Sequence, residues 1–169
     1  MKRYEQERDN EEAFRTFEDL EVYKKARLFR KAMYGVTRRL PEFEKYELAS
    51  QIRRAAVSLT NNIAEGHGRF HYLEQLKFLF QARGSLQELI DNLNVCEDEC
   101  YLPGPEVGAL KEQAKEVQRL IGGYARYLRE RKFGSSLRVQ EIADEVEFLS
   151  ELDLLFNDST IQPFNLLTL

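Results

Sequence analysis

The sequence predicts an all-α protein, an antiparallel up-down four-helix bundle with an additional short C-terminal helix. Three observations predict it. Four segments of 20–30 residues repeat apolar side chains every three or four positions and are joined by short connections. Turn-formers are few, 9 Gly and 4 Pro in 169 residues, which disfavours the closely spaced hairpins of a β-sandwich or barrel. With 43% hydrophobic and 32% charged residues, the chain can bury a core and is not disordered throughout.

Residues 1–16 are charged with few apolar groups and read as a flexible N-terminal arm. The bundle follows over residues 17–133. Its first helix is expected from about Phe17, capped by Thr16 with Asp19 completing a capping box. The apolar positions Leu20, Tyr23, Ala26, Phe29 and Met33 follow at helical spacing, and Pro41 sets the end near Arg39. The second helix is expected over about Glu42–Glu65. Leu48, Ile52, Ala55, Leu59 and Ile63 draw its stripe, and Gly66-His67-Gly68 stops it.

The third helix covers roughly Tyr72–Tyr101, with Leu73, Leu76, Phe80, Leu89, Leu93, Cys96 and Cys100 on its stripe. Leu102-Pro103-Gly104-Pro105 breaks it. The fourth covers roughly Pro105–Lys132, with Val107, Leu110, Ala114, Val117, Ile121, Tyr124 and Leu128 inward and Pro105 in its first turn. Residues 134–169 form an acidic C-terminal extension. After the Gly134-Ser135-Ser136 linker, Val139, Ile142, Val146, Leu149 and Phe156 mark a fifth, amphipathic helix over about Leu137–Phe156.

The formal charge of -4 divides unevenly. The extension holds one basic residue, Arg138, and seven acidic ones, a net of -6. The rest holds 24 basic and 22 acidic groups, a net of +2, so the total does not exclude a nucleic-acid partner for the bundle. No apolar run reaches the ~18 residues of a membrane span. Met1–Glu7 lacks the apolar region of a signal peptide. Two cysteines without disulfide-rich spacing suit a cytoplasmic protein.

Enzymatic chemistry finds little footing. Cys96 and Cys100 lie one helical turn apart, but His67 and His71 sit about 25 residues away, roughly 37 Å along a continuous helix. The four cannot meet on one metal, and the cysteines read as small core residues. No cofactor is implied. Gly66-His67-Gly68-Arg69 precedes a helix that could hold an anion, but no strand leads into it, and it reads as a helix–helix turn. Neither histidine has a context that marks it as a catalytic base, and no Gly-x-Ser-x-Gly is present. The expectation is no enzyme.

Two groups of polar residues remain as candidates. Arg54, Ser58, Asn62 and Glu65 share one face of the second helix, while the third offers Arg83, Ser85 and Glu88, with Gly84 permitting close approach. They fit a mutual polar network or subunit interface better than phosphate contact, because Asn, Ser and Glu pair readily with one another. The second group is basic: Lys24, Lys25, Arg27, Arg30, Lys31, Arg38 and Arg39 on the first helix, with Arg53 and Arg69. These are candidates for contacts to RNA or DNA phosphates, against the plainer reading of a solvated surface.

Three motifs also carry a family resemblance. Phe17-Glu18-Asp19-Leu20-Glu21-Val22-Tyr23-Lys24-Lys25-Ala26 resembles the opening of the bacterial four-helix bundle family, also called the 23S rRNA intervening-sequence proteins. Gln51–Ser58 and Asn62–Arg69 are similar to its second-helix motif, and Phe78-Leu79 with Ala82–Leu89 to its third. The resemblance spans about residues 17–132. It implies an antiparallel bundle that assembles as a homopentamer. It also implies kinship with the accessory protein of diversity-generating retroelements, a basic pentamer that binds nucleic acid and a reverse transcriptase. No activity is established for the family, so no catalytic residues carry over. Thr60 stands where a proline is common, and the acidic extension lies outside the usual family extent.

The function expected is a non-enzymatic homo-oligomeric scaffold, pentameric by resemblance, with RNA or DNA as a candidate partner through its basic helix faces. The alternative is a pure protein–protein module. Its C-terminal tail, ending in the apolar Phe164-Asn165-Leu166-Leu167-Thr168-Leu169, would recruit a partner or dock on a neighbouring subunit.

Overall fold

The first turn shows how local hydrogen bonding and burial divide the work of starting a helix. The Thr16 hydroxyl accepts from the Glu18 amide at 3.2 Å, and the Asp19 carboxylate accepts from the Thr16 amide at 3.1 Å. This is the expected capping box, but it closes only a 3-10 turn, Phe17–Asp19. Leu20 is extended (φ -63°, ψ 127°) and buried, and the first α-helix, α1, begins after it as Glu21–Thr37. Phe17 packs edge-on against Tyr23, 4.8 Å between ring centroids, holding the turn against the helix.

In this computed structural model, residues 16–133 are described, with side chains through Arg129. The expected arm before Thr16, the fifth helix and the acidic extension lie outside the described residues. The chain divides into two units, Met1–Arg129 and Glu130–Leu169, and the packing below belongs to the first.

After Pro41 the chain makes a second 3-10 turn, Glu42–Lys45, where the sequence led us to expect the second helix already under way. That helix, α2, is Leu48–His67. Glu44 links the two pieces, because its carboxylate accepts the Leu48 amide at 3.1 Å and the Tyr101 hydroxyl at 2.9 Å. Partial burial and the bond to Glu44 push the Tyr101 phenol up to about 12. All five residues of the expected stripe on α2 are buried. The helix runs without a break through Thr60 and ends within the expected Gly66-His67-Gly68 run, at His67 with Gly68 as its cap.

The third helix, α3, is Tyr72–Asp98, and the fourth, α4, is Gly104–Phe133. Leu76, Leu89, Leu93 and Cys96 are buried as expected, and Leu79, Ala82 and Leu86 fill the middle turns. Leu73 and Cys100 lie outside the core. Cys100 does so because α3 has already ended: the Tyr101 amide reaches back to the Cys96 carbonyl at 2.8 Å and the Cys100 amide to Glu97 at 3.0 Å. This is a Schellman cap, and Cys100 occupies its left-handed position at φ 56°. On α4 the expected inward residues are buried, with Tyr124 half-buried.

Among the described residues there are four α-helices and no strand. α2 packs against α1 on one side and α3 on the other. Cross-bridges show the alternation of direction: Lys25 reaches Glu116 and Arg39 reaches Glu106, so α1 and α4 run antiparallel. Lys111 with Glu97 and Gln87 with Gln118 set α4 antiparallel to α3. Gly84 is not the glycine that lets two helices approach closely. A Cβ at Gly84 would meet nothing within 4 Å, whereas one at Gly66 would lie 2.9 Å from the Phe78 Cβ and 3.2 Å from the Gln75 carbonyl. Gly66 is the close-approach residue.

Two stability changes follow. Gly66→Ala forces α2 from α3 and should cost about 1–3 kcal/mol in urea unfolding. Cys100→Gly relieves the left-handed strain and should stabilise by roughly 0.5–1 kcal/mol in the same assay.

Candidate functional site

The first candidate group lies where α2 meets α3, and the structure joins part of it. The Asn62 side-chain amide donates to the Ser58 carbonyl at 2.9 Å and to the Ser58 hydroxyl at 3.1 Å. The Ser58 and Ser85 hydroxyls are 2.8 Å apart, and Ser85 donates to the Gln81 carbonyl at 3.1 Å. Since Ser85 spends its single proton on Gln81, Ser58 donates to Ser85. The result is a one-way relay from Asn62 to Ser58 to Ser85 to the α3 backbone.

The other four residues lie elsewhere. Arg54 donates to the Ser50 hydroxyl at 2.9 Å, along its own helix. Glu65 pairs with Arg69. Glu88 is exposed, and Arg83 is half-buried outside the relay. Asn92, two turns beyond Ser85 on the same face, is buried as well, a polar position the sequence reading missed.

The basic candidates divide into engaged and unengaged groups. Lys25 pairs with Glu116 at 2.9 Å, and its ammonium is held above its usual value by the hydrogen bond and charge of that carboxylate. Arg39 grips Glu106 through both guanidinium nitrogens, one of them at 2.9 Å. Arg53 donates to the Lys45 carbonyl at 2.7 Å. Arg69 pairs with Glu65 and lies 4.8 Å over the Phe78 ring, so it faces α3 rather than an anion at the turn. Arg30 turns inward and donates to the Thr60 hydroxyl at 2.7 Å. Thr60, 1% exposed, passes its own proton to the Val57 carbonyl at 3.1 Å. This is the physical use of a threonine in mid-helix, and its partner 30 positions away is not visible in the sequence.

Lys24 lies 4.0 Å from Glu21. The side chains of Arg27, Lys31 and Arg38 are exposed and make no hydrogen bond or ion pair among the described residues. At 3.6 residues per turn, Lys24, Arg27, Lys31 and Arg38 fall within an arc of about 60° and extend roughly 21 Å along α1. No acidic residue of α1 falls in that arc, since Glu21 lies about 60° beyond its edge.

An open groove of ≈ 580 Å³ lies between α1 and α2, with Tyr34 on one wall. Arg53, Arg54, Ser58, Asn61 and Asn62 line the other, and Val57 is the apolar element. Tyr34 and Asn61 were not among the sequence candidates. The signal was present, because Arg54, Ser58 and Asn61 repeat at steps of four and three on one helical face.

The cysteines differ sharply. Burial, helped by the Glu44 charge, pushes the Cys96 thiol up to about 11, while Cys100 is exposed. His67 approaches the Tyr124 hydroxyl at 3.3 Å through Nδ1. Among the described residues no three of His, Cys, Asp and Glu gather as metal ligands, and no helix is long and apolar enough to cross a membrane.

The family of the 23S rRNA-intervening sequence protein matches residues 18–123, more than half of the chain. The chain belongs to this family. The match covers α1, α2, α3 and most of α4, so the relay, the α1 stripe and the groove all lie on the part the intervening-sequence family shares. No curated protein matches the chain.

Two outcomes test the geometry. Thr60→Val leaves the Arg30 guanidinium without its acceptor and should cost about 1.5–3 kcal/mol, with a double-mutant cycle against Arg30→Met returning the coupling. The hydrogen bonds from Arg39 hold Glu106 below its ordinary value of 4.5. Its contribution to stability is therefore complete above that value and is lost as pH falls through the folded one. The melting-temperature gap between wild type and Glu106→Gln should be open at pH 7 and close below pH 4.5.

Proposed function

We propose that the protein is a non-enzymatic, self-associating four-helix scaffold that holds a nucleic acid along α1. The observation that carries this reading is the cationic stripe of Arg27, Lys31 and Arg38. Two cations of the same segment, Lys25 and Arg39, are spent on carboxylates of α4. Three that stand unpaired on one arc are available to phosphates, whose binding needs positive charge on a shared face and little else. The acidity of the whole chain does not oppose this, because it resides after residue 133.

Self-association is supported by large apolar side chains left in solvent: Phe70 is 100% exposed, Tyr46 77% and Phe43 71%. Such groups ordinarily find a cover. An assembly of five is the form the family resemblance implies, and it would repeat the α1 stripe five times. The same exposed aromatics favour the second reading, a module that binds only protein.

The deciding measurement is the salt dependence of binding to a labelled 20-nucleotide RNA. Wild type should lose affinity steeply with salt. The triple variant Arg27→Glu, Lys31→Glu, Arg38→Glu should bind at least tenfold more weakly at low salt and show a log–log slope smaller by roughly 2–3. Equal affinity and slope would leave the protein-only module. Light-scattering mass reads the assembly, and a monomer at micromolar concentration would refute self-association.

A further inference from the structure

We infer that the groove between α1 and α2 is a nucleotide pocket, which takes one unstacked nucleotide of a single strand whose backbone follows the α1 stripe. The inference deepens the proposed function and rests on its nucleic-acid reading.

The groove is shallow and open, ≈ 580 Å³, and no carboxylate lines it. Its polar groups are mostly donors with capacity left. Arg53 spends one nitrogen on the Lys45 carbonyl, and Arg54 one on Ser50. Each guanidinium carries five N–H donors in a planar fork that suits a phosphate. The Asn61 side chain makes no hydrogen bond among the described residues and is exposed. Its amide therefore offers a donor and an acceptor side by side, the pattern that reads the edge of a base. Asn62 is different: its nitrogen is committed to Ser58, which fixes its orientation in the wall. Tyr34 supplies an aromatic ring, on which an unstacked base can lie.

The position of Tyr34 joins the groove to the stripe. It falls about 20° from Arg27 around α1, three residues after Lys31 and four before Arg38. A strand bound along Arg27, Lys31 and Arg38 passes the mouth of the groove. One base turned out of that strand meets Tyr34 and Asn61, with its phosphate toward Arg53 and Arg54. A duplex keeps its bases stacked and engages only the stripe.

The test uses the full chain and a 5′-labelled 12-nucleotide RNA, single-stranded or paired, at one salt concentration. Asn61→Ala removes no bond of the folded protein. It should lower single-strand affinity about tenfold and leave duplex affinity and oligomeric mass unchanged. The Arg27, Lys31, Arg38 triple variant should weaken both. If Asn61→Ala and Tyr34→Leu bind single strands as wild type does while the stripe variant fails, the groove inference is wrong and the stripe reading stands. If wild type binds neither RNA, nucleoside monophosphates at about 5 mM decide the groove alone. Chemical-shift changes at Tyr34 and Asn61, absent with the phosphate-free nucleosides, would show a site for free nucleotides and overturn the single-strand reading alone, and no change would overturn the groove inference whole. A change of oligomeric mass in Asn61→Ala would identify the groove as a subunit contact and overturn it too.

Discussion

At Gly66 the end of α2 lies so close to the start of α3 that a single methyl group would collide with Phe78. Helices that approach this closely have little freedom to rotate about their own axes. With that rotation fixed, Leu59 and Ile63 face inward and the Ser58 hydroxyl meets Ser85 two turns earlier. The polar residues that do not enter the α2–α3 seam, Arg54 and Asn61 among them, lie beside Ser58 on the same face, toward α1. Ser58 and Asn62 belong to both the relay and the groove wall, so the two meet along one face of a helix whose orientation is set by packing at its end. Small residues along α2, Ala49, Ala55 and Ala56, are buried and extend the close packing along its length.

The helix α1 divides its charge by direction. Lys25 and Arg39 face α4 and bridge to Glu116 and Glu106, so their positive charge is cancelled where it helps to hold two helices together. Arg30 faces α2 and keeps its charge, but one of its donors is held by a buried threonine rather than by a carboxylate. What is left points to solvent. The net charge of the bundle, near zero, conceals this arrangement, because an exposed stripe of one sign coexists with internal pairs that sum to nothing. A count of charges describes solubility, and only the pairing shows where a field remains.

The stripes of α2 and α4 could be read from the sequence because a 3–4 repeat of apolar side chains has one physical solution in water, a helix with that face buried. Helix ends were less accessible. Thr16 and Asp19 do form their capping box, yet the box cannot decide whether a 3-10 turn or an α-helix follows, which the burial of Leu20 settles. Cys100 sits beyond the end of α3 in a conformation for which its residue type gives no warning. The candidate lists suffered in a different way. Arg39 and Glu106 are 67 residues apart, and no local rule pairs them, so engaged and free cations looked alike. Tyr34 and Asn61 were passed over because each is ordinary on its own helix and becomes part of a site only when α1 and α2 are side by side.

Threonine at position 60 has a consequence for motion. A proline there would delete one backbone donor and divide α2 into two segments free to hinge. With Thr60 the ladder of amide bonds is unbroken from Leu48 to His67, and the hydroxyl is tied to α1 as well. Amide hydrogens in the middle turns of such a helix exchange as a group, since opening any one of them also disturbs the neighbours packed on it. In this protein the wall of the groove and the contact with α3 therefore belong to one cooperative element, and a disturbance at either is felt by the other without any hinge between them.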